Sequence, residues 1–165
     1  MTSEDLDYRR VQPADAQALL ALLQQLSQET TTFTVPTPLP SVSQEVKEIE
    51  QINAGKDHVV IVAATGEQLV GVVTVMPTDE QAAGEIGVAV LKKYWRQGIG
   101  YELMLSGLDW GALESSYSEI SLTVQKQNTG AIAMYEKIGF ATLSTSHVEN
   151  SAGERVEAFE MAIGV

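Results

Sequence analysis

Two nearly continuous apolar runs, His58 to Ala64 and Leu69 to Met76, are separated only by Thr65-Gly66-Glu67-Gln68. Both are rich in valine, whose β-branched side chain suits a pleated surface better than a helix. The link is short and contains a glycine, so the pair predicts a buried antiparallel hairpin. Such a hairpin needs other elements to cover it, and the remaining sequence supplies them. Tyr8 to Val11 reads as a first short strand. Pro13 and Asp15 then open a helix with Ala16, Leu19, Leu20, Leu23 and Leu26 at helical spacing. Thr30 to Pro40 is an irregular loop by its threonines and prolines, and Val42 to Ile52 is a more polar helix stopped near Gly55.

Beyond the hairpin, Glu85 to Leu91 is a third apolar strand. Gly100 to Leu113 is a helix with Glu102, Ser106 and Asp109 on one narrow polar face. Ile120, Leu122 and Val124 alternate as a strand, and Thr129 to Ile138 is a short helix. Phe140 to His147 and Arg155 to Ile163 form a closing hairpin turned at Asn150 to Gly153. The expectation is one α/β (α+β) domain over residues 1–165, with a mixed, mostly antiparallel sheet of six or seven strands and about four helices.

Composition narrows the chemistry. The chain has no cysteine and only two histidines, His58 and His147, so no thiolate nucleophile, disulfide or histidine metal cluster is expected. The net charge of −12 repels a phosphate backbone, which argues against nucleic acid and weakly favours cationic small molecules. No apolar stretch approaches a membrane span, and the first residues are acidic rather than signal-like, so the cytoplasm is the expected compartment.

Three of the ten lysines and arginines, Lys92, Lys93 and Arg96, fall within five positions, just before Gln97-Gly98-Ile99-Gly100 and a helix. A strand, a basic turn with glycines and a helix N-terminus together suit an anion. The first-turn N–H groups lack helical partners, the dipole favours negative charge, and glycine lets the backbone come close. There is no G-x-G-x-x-G and no Gly-Lys-Ser/Thr, so neither a dinucleotide fold nor a P-loop is indicated. Downstream, Asn128 suits a helix N-cap, Gly139 the position after the helix, and Ala131, Tyr135 and Ile138 share one stripe.

The run from Val90 through Lys93-Tyr94-Trp95-Arg96-Gln97-Gly98-Ile99-Gly100 resembles the cofactor signature of the GNAT superfamily of N-acetyltransferases. The run from Asn128 to Phe140 resembles its later N-x-x-A-x-x-x-Y-x-K-x-G-F signature. Trp95 stands where that family most often has arginine or glutamine, and Arg96 where it commonly has glycine.

The resemblance implies a sheet that splays at the cofactor site and acetyl-CoA as co-substrate. Main-chain groups of Val88, Ala89 and Val90 would pair with the pantetheine arm, an N–H near Val88 facing the thioester oxygen. Gln97, Gly98, Ile99, Gly100 and Tyr101 would cradle the diphosphate, with Arg96 beside them. Asn128 would cap its helix and touch the pantetheine, and Lys137 would reach the adenosine phosphate. Tyr135 would serve the departing thiolate as acid or sulfur ligand. Attack by the amine passes through a tetrahedral intermediate, and the neutral amine it needs costs roughly 4–5 kcal/mol at pH 7 for a lysine-like pKa of about 10.4. Glu85, a carboxylate inside an otherwise apolar strand, is the candidate base, with burial expected to raise its pKa.

The acceptor is read as a primary amine, a small cationic molecule in the first instance. A protein N-terminus or lysine is the alternative within the same chemistry. An acyl-CoA-binding sensor without turnover is the alternative of a different class. The acceptor pocket is expected between the first two helices, the Thr30 to Pro40 loop and the Ser144 to Glu154 hairpin. Homodimerisation is common in the family and is carried over as an expectation.

Overall fold

The computed structural model describes residues 6–30, 32–150 and 152–165. β1 (Asp7–Arg10) and a 3-10 turn at Pro13–Asp15 lead into α1 (Ala16–Glu29) and α2 (Val42–Ala54). Then come β2 (Val59–Thr65), β3 (Gln68–Pro77), β4 (Ala83–Val90), α3 (Ile99–Leu113), β5 (Glu119–Gln125), α4 (Thr129–Ile138), β6 (Ala141–Glu149) and β7 (Arg155–Gly164). The seven strands form one mixed sheet in the order β1-β2-β3-β4-β5-β7-β6, flanked by four helices, as the sequence predicts. No described helix is long and apolar enough to cross a membrane.

The β2–β3 hairpin is the centre of the core. Val59, Val62, Val70, Val72, Val73 and Val75 are buried, because one face of the hairpin packs under α1 and the other under α3. α1 turns Ala16, Leu19, Leu22 and Leu26 inward. α2 starts at Ser41, whose hydroxyl accepts from the Gln44 N–H while the Gln44 side chain accepts from the Ser41 N–H. That reciprocal cap satisfies two otherwise orphaned donors and is worth about 1 kcal/mol. α3 buries one side, carrying Ile99, Leu103, Met104, Gly107, Trp110 and Gly111. It sits so close to the sheet that a Cβ on Gly107 would lie 2.9 Å from the Ile86 Cδ1. A side chain there would push the helix off the strands.

Every neighbouring strand pair is antiparallel except β4 and β5, which run parallel with α3 as their crossover. Their pairing is short: it begins at Ala83 with Glu119 and stops at Glu85 with Ser121. Beyond that row each strand is anchored elsewhere. β4 stays on β3 as far as Val90 opposite Gly71, and the Leu91 N–H continues to the Val70 carbonyl at 2.9 Å. β5 stays on β7 as far as Gln125 opposite Ala158, and the Lys126 N–H continues to the Glu157 carbonyl at 2.9 Å. The sheet therefore opens between them.

Candidate active site

The main chain along this opening follows from strand alternation. Leu91 turns its N–H toward β3, so Val88 and Val90 turn theirs the other way, into the gap. On the facing wall Lys126 turns toward β7, so Thr123 and Gln125 address the gap. These groups have no ladder partner between β4 and β5, and an extended ligand with amides can take the place of a strand. One group is already taken: the Trp95 indole N–H donates to the Val90 carbonyl at 2.7 Å. Trp95 is 49% exposed, with the Lys92 ammonium 5.7 Å from its ring centre. Trp95 thus ties the strand end to the turn that follows. Trp110, by contrast, is buried, its ring centre 6.4 Å from that of Tyr117.

That turn then presents a bare helix end. Gly98 is the N-cap of α3 with φ 80, and no side chain caps the helix. The Glu102 N–H is bonded to the Gly98 carbonyl, which leaves the N–H groups of the preceding turn, Ile99 to Tyr101, without helical acceptors. A Cβ on Gly98 would meet nothing within 4 Å, so the space in front of these donors is open. An anionic group such as a diphosphate fits there, drawn by the donors and by the helix dipole. Arg96 also has a left-handed backbone, φ 65, which costs a residue with a Cβ about 1 kcal/mol. The Gln97 Oε1 atom is buried beside this turn without a hydrogen-bond partner among the described residues.

α4 brings the second motif to the same cleft. The Asn128 Oδ1 atom accepts from the Ala131 N–H at 3.4 Å, the N-cap predicted for it. Tyr135 is 9% exposed and its ring lies tilted 5.9 Å from that of Phe140. Burial pushes its phenol up to about 12. The Lys137 ammonium sits 5.4 Å from the Tyr101 ring centre, so the last turn of α4 meets the first turn of α3.

Glu85 lies at the apex of the opening, paired across to Ser121 and to Met76. It is exposed rather than buried, which corrects the expectation of an apolar setting. The physical reason lies in its face of the sheet. Residues of the other parity, such as Ile86, pack under α3, while Glu85 shares a face with Gly87 and Thr74, only partly covered by the loop after α1. There the Phe33 Cε2 atom stands 3.7 Å from where a Cβ on Gly87 would be. That contact brings Phe33, from the predicted loop, over the apex.

Residues 20–140 match the model of the acetyltransferase (GNAT) family, which covers both the opening and the two helix ends. The chain belongs to the GNAT acetyltransferase family. It is an acyltransferase. The fold of this acetyltransferase is similar to that of several solved structures. A GNAT acetyltransferase from Streptococcus pneumoniae is 21% identical, with TM-score 0.88 over 97% of this chain and 99% of that one. YncA, a putative acetyltransferase from Salmonella typhimurium solved with acetyl-CoA, is 15% identical, with TM-score 0.80 over 96% and 93%. A spermidine N-acetyltransferase, SpeG, from Vibrio cholerae is 16% identical, with TM-score 0.74 over 98% and 94%. At these identities the likeness carries the fold alone. No curated protein matches the sequence.

The sequence pattern did not single out the polar residues on the far wall. Thr123 and Ser146 both donate to Glu160, at 2.7 and 2.8 Å. The signal was available in β7, where Glu160 falls on the same parity as Ala158 and Ala162, which are buried.

Proposed function

We propose that this acetyltransferase moves the acetyl group of acetyl-CoA to the primary amine of a small cationic acceptor, by direct attack of the amine. The observation that carries the reading is the parting of β4 and β5 after Glu85, which leaves strand edges facing each other next to an uncapped helix N-terminus. The Gln97 to Tyr101 main chain holds the diphosphate, with Arg96 beside it and Lys137 on the adenosine side. The Val88 main chain and the Val90 N–H align the pantetheine, and Asn128 supports it from the cap of α4. Ala89, expected beside them from the sequence, is not part of this edge, because its main chain has the parity of Leu91 and turns to Val72 on β3. The Val88 N–H addresses the carbonyl oxygen as negative charge develops there, a role in which one donor is commonly worth 10²–10³ in rate.

Glu85, directly or through water, takes the proton of the attacking amine. Its exposed position at the apex lets an acceptor reach it, and the net charge of −12 favours a cationic one. Tyr135 faces the departing thiolate as a neutral phenol. With its pKa at about 12, full proton transfer to a thiolate near 8.5 is uphill by about 5 kcal/mol, so its contribution is a hydrogen bond to sulfur, with the proton following later.

Release of free thiol from acetyl-CoA, followed across a panel of primary amines, tests this. Turnover with small cationic amines is expected. Binding of CoA with no thiol release from any amine or peptide would instead mean a sensor module.

A further inference from the structure

The face of the sheet that carries Glu85 carries a second carboxylate across the opening. Glu160 on β7 is paired with Thr123 on β5, two residues beyond the last contact between β4 and β5. The Thr123 hydroxyl donates to its Oε2 atom at 2.7 Å and the Ser146 hydroxyl to its Oε1 atom at 2.8 Å. Each carboxylate oxygen thus has one fixed donor and keeps lone pairs for another. Glu160 is half-buried, and no lysine, arginine or histidine among the described residues lies within ion-pair distance of it. Its neighbour on the strand, Glu157, turns to the opposite face and is paired with Lys126 at 3.1 Å. Between the two walls the floor is bare at Gly87, with Phe33 above it.

A half-buried carboxylate oriented by two hydroxyls and given no cation by its own chain is matched to a cation that arrives from outside. Its distance from the chemistry decides which cation. β7 lies one strand spacing, about 4.8 Å, outside the wall formed by β5. That is too far to take a proton from a nitrogen attacking at the β4 edge, and within the span of a short alkyl chain.

We propose that Glu160 is the specificity-determining residue of the acceptor site. It holds a second ammonium of a diamine or longer polyamine while the first nitrogen is acetylated. The inference rests on the acetyl-transfer reading above, and it assigns Glu160 to binding and not to the chemical step.

The test is steady-state thiol release from acetyl-CoA with 1,4-diaminobutane and with butylamine, for the parent and for Glu160→Gln. The parent should show a KM for the diamine roughly tenfold or more below that for butylamine. Glu160→Gln should raise the diamine KM by roughly 10- to 100-fold, the value of one charge-assisted contact, with kcat within about twofold and butylamine unaffected. Thr123→Val with Ser146→Ala keeps the charge and releases its orientation, so it should move the diamine KM in the same direction by a smaller factor; it also stands in if Glu160→Gln does not fold. Equal losses with both amines, a lower kcat at unchanged KM, or no preference of the parent for the diamine would each overturn the proposal. A parent that binds CoA but acetylates neither amine overturns it too and leaves the family assignment standing. A parent that does not bind CoA brings down the preceding reading with it.

Discussion

The Lys137 ammonium lies over the face of the Tyr101 ring, 5.4 Å from its centre. The two residues belong to different helices and to different motifs, separated by most of α3, all of β5 and most of α4. Their meeting closes one rim of the cleft that the parted strands open. A cation–π contact at such a site is worth only about 0.5–1 kcal/mol, so the ammonium can leave the ring for a phosphate at little cost.

Lys137→Ala should therefore leave stability nearly unchanged and weaken CoA several-fold, with kcat preserved. Calorimetry at two ionic strengths checks this, because a contact between exposed charges fades with salt. Repeating the titration with dephospho-CoA identifies the partner. If the variant and the parent differ as much for that ligand as for CoA, Lys137 does not serve the adenosine phosphate.

Tyr135→Phe separates a hydrogen bond from packing. The phenylalanine ring can keep the tilted contact with Phe140, so the fold and CoA affinity should be retained. A kcat lower by roughly 10- to 100-fold is expected from loss of one donor to the leaving sulfur. An unchanged kcat would remove the residue from the mechanism.

The same variant has an alkaline signature. In the folded chain burial holds the phenol at about 12, whereas in the unfolded chain it titrates near 10. Its stabilising contribution is complete below about pH 10 and is lost as pH rises toward about 12, amounting to about 3 kcal/mol over that window. Denaturant unfolding of parent and Tyr135→Phe at several pH values should show the difference between them shrinking across that range, with Tyr8 and Tyr117 cancelling in the subtraction.

Arg96 offers a trade between stability and affinity. Its left-handed backbone, φ 65, is a conformation that glycine adopts freely. Arg96→Gly relieves about 1 kcal/mol of strain and adds unfolded-state entropy that costs about 0.4–1 kcal/mol, for a net gain of about 0.5 kcal/mol or less, at most about 2 °C in Tm. The same change removes a cation beside the α3 N-terminus, so CoA affinity should fall, most visibly at low salt. A variant that gains neither stability nor loses affinity would show that the turn has no preference at this position.

What the sequence carried and what it did not divide along the range of the interactions. The hairpin around Gly66, the cap at Asn128 and the helix from Thr129 to Ile138 are set by neighbours a few residues away, and they were legible. The parting of β4 from β5 depends on Leu91 bonding to Val70 and on Lys126 bonding to Glu157, contacts that no local pattern encodes. Glu85 illustrates the consequence. Its position inside an apolar strand reads as burial, yet exposure is set by what covers its face of the sheet, and only Phe33 and the loop around it come near. Glu160 stands out as a charge on the parity of the buried Ala158 and Ala162, but its role depends on Thr123 and Ser146, from two other strands.

Glu85→Gln closes the set, because it tests the base against the exposure just described. The variant keeps the shape of the side chain and removes its ability to take a proton. If Glu85 relays the acceptor's proton, kcat/KM should fall by roughly 10²- to 10⁴-fold at neutral pH. An acceptor with a pKa of about 10.4 becomes steadily less protonated as pH rises, so the deficit should narrow toward about pH 9 and beyond. Rates measured across that range for parent and variant decide the matter. Two profiles that overlay throughout would leave proton removal to solvent, and a constant deficit at every pH would make Glu85 a binding group for the cationic acceptor instead of its base.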